Sequence, residues 1–175
     1  VEDRAMRPAQ RAARSEIRLA ISPVSHERGT PSRAGRLHRH QLAVAEEDGN
    51  LLVALGKDDA GQAAGAAAMV ESWRAGRTVC HDTSRTIADG INVRVPVPQA
   101  LDDMRGRIDE AFLVSEEAIV EAMRLVHTHA GIVAEPSAVV GVAALLERPG
   151  QFREQCVGTI VCGGNLSASQ MREWL

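Results

Sequence analysis

The stretch AFLVSEEAIVEAMRLVHTHAG, residues 111–131, decides the fold class. Ala111 to Val114 is a short apolar run of the kind that forms a buried strand. Ser115 then stands where a helix N-cap is wanted, and Glu116 and Glu117 follow in the first turn, where the positive end of the helix dipole favours acids. Ile119, Met123, Val126 and Ala130 recur at three- and four-residue spacing and define one apolar face, and Gly131 supplies a stop. A strand running at once into a capped amphipathic helix is the building unit of layered α/β folds.

Toward the C-terminus, Ile132 and Val133 lead to Glu135-Pro136-Ser137, after which AVVGVAALL (138–146) is apolar nearly all round and predicts a buried helix. Arg148-Pro149-Gly150 ends it. GTIVC (158–162) is a β-branched run suited to the middle of a parallel sheet, and Gly163-Gly164-Asn165 turns the chain after it. Ser167 and Gln170 have the spacing of a capping box for a last helix. Toward the N-terminus, NVRVPVP (92–98) reads as a short half-exposed strand or extended connection, limited by its prolines. Ala63 to Ala75 suits a helix stopped by Gly76. LLVAL (51–55) suits a strand that turns at Gly56-Lys57-Asp58-Asp59. This alternation predicts an α/β fold with an open, largely parallel sheet and helices on both faces. In such sheets ligands collect at the carboxyl ends of strands, which directs attention to the turn after GTIVC.

The chain has 175 residues, 45% of them hydrophobic, enough for one domain with a core. Its formal charge of -3 gives no reason to expect nucleic acid or an anionic membrane as partner. Cys80, Cys156 and Cys162 are widely spaced without a CxxC, which fits a reduced, cytoplasmic protein. No run reaches the roughly 18 apolar residues that span a bilayer. Arginine recurs from Arg4 through Arg39 among few large apolar residues, and a helix over Arg7 to Ile21 has little to hold it to a core. Residues 1–60 are thus expected to be a poorly ordered, Arg-rich segment. A transit peptide is opposed by Glu2, Asp3 and Glu16, and a nucleic-acid arm by the lack of interleaved aromatic residues.

Four segments in order, AMVESWRAGR (68–77), TIADGINVRVPVP (86–98), AEPSAVVGVAALL (134–146) and IVCGGN (160–165), resemble the C-terminal third of the pyridoxal-phosphate-dependent serine/threonine dehydratases. That family has the tryptophan-synthase-β-like architecture called fold type II, and the likeness extends over residues 61–175. It implies α,β-elimination from serine or threonine, giving a 2-oxo acid and ammonia, with pyridoxal phosphate as cofactor, a small amino acid as substrate and a homo-oligomer as a possible assembly. By the same resemblance Cys162 lies beside the pyridine nitrogen. Gly163 and Gly164 let the backbone approach the ring, Asn165 takes the turn, Asp89 and Gly90 line the substrate side, and Glu135 lies near the cofactor's polar edge. The bare residues allow other roles. Cys162 also fits a buried thiol at a strand end, Asp89 a plain turn, and Glu135 a helix-start acid ahead of Pro136.

The family's lysine, which holds the cofactor and moves the α-proton, stands in a pattern like S-x-K-x-R-G. Lys57, the one lysine of the sequence, stands in ALGKDDAG and does not match, so no catalytic residue is carried over. A clustered Gly-rich phosphate loop is likewise not found, since Gly56, Gly61 and Gly65 are scattered. Relatives carry acidic metal ligands where this chain reads AGQAAGA (60–66), which predicts no metal site. With Val1 as first residue, these features together lead to the expectation of an excerpt or frameshifted product without turnover of its own. The competing expectation is a non-catalytic remnant or interaction module of the same fold.

Overall fold

The computed structural model describes residues 53–55, by backbone alone, together with 59–153 and 157–175. The Arg-rich stretch and its possible helix over Arg7 to Ile21, Lys57 and Cys156 lie outside the described residues. The elements in order are β1 (Val53–Leu55), β2 (Asp59–Ala63), α1 (Ala68–Ala75), α2 (Pro98–Met104), β3 (Ala111–Val114), α3 (Glu116–Ala130), α4 (Val140–Glu147) and α5 (Ala168–Trp174). Short 3-10 turns occupy Ala64–Ala66, Asp89–Ile91 and Pro136–Val139. The sheet order is β1-β2-β3. β1 runs antiparallel to β2, and β2 runs parallel to β3 with Gly61 opposite Phe112 and Ala63 opposite Val114.

Strand alternation sorts the side chains of that parallel pair to two faces. Phe112, Val114 and Ala63 join Ile119, Met123 and Val126 of α3 and Val140, Val142 and Ala143 of α4 in the larger core cluster. On the opposite face the Gln62 side chain reaches α1, where its Oε1 accepts from the Val70 N–H at 3.1 Å. Helices therefore cover both faces, as the sequence predicts. Gln62 takes the part of an N-cap that Ala67 has no side chain to perform, satisfying a donor left over by the helix start. Among the described residues Phe112 is the largest fully buried side chain. Its ring meets Phe152 edge-on at 6.0 Å between centroids, and the Arg148 guanidinium lies 4.7 Å above it.

The unit at the centre of the sequence forms as its pattern dictates. Ser115 Oγ accepts from the Ala118 N–H at 3.1 Å, and Gly131 closes α3 in the left-handed conformation that its missing side chain permits. Gly76 does the same for α1, and Ser167 with Gln170 forms the reciprocal capping box of α5.

Four expectations need correction. GTIVC forms no strand, because among the described residues the sheet ends at β3 and offers 158–162 no ladder. β-branched side chains favour an extended backbone but cannot supply the neighbouring strand. The helix expected from Ala63 starts at Ala68, since Asp59–Ala63 is drawn into the sheet between β1 and β3. Residues 92–97 form a connection rather than a strand, with Val95 and Val97 exposed, and Pro98 opens the unforeseen α2 at its first position. The helix expected over 138–146 begins as a 3-10 turn at Pro136 and becomes α-helical only from Val140.

Candidate ring-edge site around Glu135

Three of the motif segments come together around the turn at residues 135–137. The Pro136–Val139 turn is buried throughout, and Pro136 at its first position fixes the chain just after Glu135. The Glu135 N–H donates to the Gly163 carbonyl at 3.0 Å, and Glu135 Oε2 accepts from the Asn165 N–H at 3.0 Å. A helix-start acid would bend back to cap its own turn, but the Glu135 side chain makes no such bond. It reaches across to the 163–165 segment instead.

The two glycines are needed for close approach, though the partner in this structure is the protein itself. A Cβ on Gly163 would fall on the Glu135 carboxylate, within 2.8 Å of Oε2, and one on Gly164 would lie 2.6 Å from the Val133 carbonyl oxygen. The reason first assigned to them, approach to a planar ring, is thus not the only demand on these positions. Gly90 is confined in the same way, since a Cβ there would lie 2.8 Å from Ser137 Oγ and 3.8 Å from Glu135 Oε1. Ser137 is fully buried and its hydroxyl has no hydrogen-bond partner.

Cys162 is exposed, which removes the reading of a thiol buried among aliphatic side chains. Asn165 and Gly164 are exposed beside it, while Gly163 is half-buried. Asp89 is exposed too, and its Oδ1 accepts from the N–H of Gly90 at 2.9 Å, as an ordinary turn residue does. The geometry thus brings Gly90, Glu135, Gly163 and Asn165 together, with Cys162 next to the junction on the open side. Asp89 enters only through its neighbour Gly90.

A second junction, which sequence reasoning missed, fixes the approach to Gly90. Glu116 Oε2 accepts from Thr86 Oγ1 at 3.1 Å and from the Ile87 N–H at 2.9 Å, so the start of α3 holds the TIADG segment. The Arg85 N–H donates to the Gly65 carbonyl at 2.8 Å, and a Cβ on Gly65 would run into the Arg85 carbonyl. The signal for Glu116 was present in its position one residue after an N-cap, but its partner is far away in sequence. Among the described residues no group of three His, Cys, Asp or Glu side chains is placed to hold a metal ion. No helix of the described residues is long and apolar enough to cross a membrane.

This architecture is that of the fold type II pyridoxal-phosphate enzymes. A threonine deaminase from T.th. superposes with a TM-score of 0.59 at 30% identity, over 62% of this chain and 40% of that one. Maize serine racemase gives a TM-score of 0.59 at 27% identity, over 66% of this chain and 36% of the other. The sequence pattern of the family described as "Pyridoxal-phosphate dependent enzyme" matches residues 55–163, and the chain belongs to that family.

Among curated relatives, the beta-hydroxyaspartate dehydratase of Paracoccus denitrificans is 35% identical over 101 residues, which is 57% of this chain and 31% of the relative. The L-threonine ammonia-lyase of Thermotoga maritima is 32% identical over 103 residues, 59% of this chain and 25% of the relative. The chain thus spans between a quarter and a third of these relatives' lengths. The resemblance read from the four motifs is borne out, and the family implies pyridoxal phosphate as cofactor.

Proposed function

We propose that this chain supplies the ring-edge part of a pyridoxal-phosphate lyase that removes water from a small 3-hydroxy amino acid, serine or threonine. In the overall reaction the Cα proton and the Cβ hydroxyl leave as water, and hydrolysis of the resulting enamine gives a 2-oxo acid and ammonia. The bound cofactor supplies a sink for the electron pair released at Cα. The observation that carries the reading is the meeting of the ADG and CGGN segments at the EPS turn, the first on Ser137 and the second on Glu135, with an exposed thiol beside them.

The residues present fit one edge of such a ring. Cys162 would meet the pyridine nitrogen with a neutral, weakly donating thiol, which suits loss of a β-hydroxyl better than chemistry that needs a fully protonated ring. Gly163, Gly164 and Asn165 would pass beneath that edge, and Asp89-Gly90 would border the substrate side. Holding the cofactor covalently and moving the α-proton need a lysine that the motif pattern does not assign to Lys57. The described residues are therefore expected to bind the ring edge without turning substrate over.

Protection of thiols tests this reading. Alkylation of the purified chain, followed by mass spectrometry of the Cys80 and Cys162 peptides, is expected to slow at Cys162 and not at Cys80 when pyridoxal phosphate is added. Equal rates at Cys162 with and without pyridoxal phosphate would overturn it.

A further inference from the structure

The CGGN turn is not held by its own backbone alone. Within it the Leu166 N–H donates to the Gly164 carbonyl at 3.0 Å. Three contacts tie it to the 133–135 segment: the Gly163 carbonyl accepts from the Glu135 N–H, the Asn165 N–H donates to Glu135 Oε2, and the bare Cα of Gly164 lies against the Val133 carbonyl. Segment 158–162, which leads into the turn, has no strand to fix it among the described residues. A carboxylate that accepts a backbone N–H makes a charge-assisted bond, stronger than the neutral bonds around it.

We propose that Glu135 is the positioning residue of Cys162, with its carboxylate turned inward to clamp the 163–165 turn rather than outward to contact a cofactor. This rests on the ring-edge reading of Cys162 for its functional meaning, but the clamp itself is a property of the chain alone. The glycine at position 163 belongs to the device, because any side chain there would push the carboxylate off the Asn165 N–H. Gly90 packs the substrate-side loop against Ser137, two residues on from Glu135 in the same turn.

Amide hydrogen exchange of the full chain, followed by NMR without any cofactor, tests the clamp. In the unmodified chain the Asn165 amide is expected to exchange about tenfold or more slower than an unprotected amide, the factor one charge-assisted hydrogen bond gives a local opening equilibrium. Glu135→Ala is expected to remove that protection while the Ile119 amide, bonded to the Ser115 carbonyl, keeps its own. Glu135→Gln, whose amide oxygen still accepts, is expected to restore most of it, a rescue that side-chain bulk alone would not distinguish from Glu135→Met. An unprotected Asn165 amide in the unmodified chain overturns the proposal whatever the variants do. So does protection that survives Glu135→Ala, or that Glu135→Met restores as well as Glu135→Gln. Failure here would leave the cofactor's effect on Cys162 alkylation untouched, so the clamp and the ring-edge reading fail separately.

Discussion

Replacing Gly65 with alanine places a methyl group where the backbone of residue 85 already lies. The nearest atoms are the Arg85 carbonyl oxygen and carbon, the latter at 2.8 Å, with Glu116 Oε1 at 3.1 Å. No side-chain rotation relieves a clash with backbone, so the 85–87 segment has to move as a unit. Its motion breaks the Arg85 N–H bond to the Gly65 carbonyl and loosens the two bonds that Thr86 and Ile87 give to Glu116. The neutral bond contributes about 1 kcal/mol and the two bonds to a carboxylate roughly 2 kcal/mol more, so the substitution is expected to destabilise by about 3 kcal/mol. Gly150→Ala is the control, because nothing lies within 4 Å of its new methyl and its backbone is not left-handed, so a change within about 0.5 kcal/mol is expected there. Urea unfolding followed by far-UV circular dichroism measures both. A Gly65→Ala chain as stable as its parent, or a Gly150→Ala chain as damaged, would refute the assignment of Gly65 to close backbone packing.

The buried hydroxyl of Ser137 has no partner, so Ser137→Ala is expected to raise the urea midpoint by the equivalent of about 1 kcal/mol; a loss of that size would mean the hydroxyl is bonded after all. Ser115→Ala removes both the cap of α3 and a hydroxyl donor to Glu147 Oε1, and it is expected to cost about 1 to 2 kcal/mol in the same assay. Phe112→Ala empties the largest fully buried position among the described residues and is expected to cost about 3 to 5 kcal/mol, enough to unfold a marginal domain at 37 °C. Incubation with L-serine or L-threonine and pyridoxal phosphate is expected to yield no 2-oxo acid. Steady release that vanishes in Lys57→Ala would assign that lysine the role its motif context denies it.

Where local chemistry decides, the sequence was readable. Ser115, Ser167 with Gln170, Gly76 and Gly131 each satisfy helix ends with their own atoms, so their positions follow from residue type and spacing. The α3 face was equally plain, because Ile119, Met123 and Val126 repeat with the helical period. The elements that were missed depend on neighbours. DAGQA has none of the β-branched residues that mark strands, yet it lies between β1 and β3 and is buried there, while GTIVC has them and joins no sheet among the described residues. Strand formation is a contract between segments, and one segment's composition states only half of it.

The site divides in the same manner. Cys162, Gly163, Gly164, Asn165, Glu135, Asp89 and Gly90 were picked out by resemblance. Glu135 meets Gly163 and Asn165 at one junction, where Gly164 lies against Val133, and Gly90 packs beside it on Ser137. Cys162 is exposed alongside, and Asp89 is an exposed turn residue outside it. What the sequence could not convey is that Glu135 faces the turn, or that Ser137 is sealed against Gly90. Such facts arise from contacts between residues far apart in the chain. Glu116 was read as a first-turn acid suited to the helix dipole, and it also ties down the loop that delivers Gly90.

Titrating the isotopically labelled chain with pyridoxal phosphate and mapping amide shifts tests the central claim most directly. The account predicts that the amides of Gly90, Glu135, Cys162, Gly163 and Asn165 move together with a common affinity, while those of α5 do not. Shifts that bypass these residues, or that fall on them at unrelated concentrations, would contradict it.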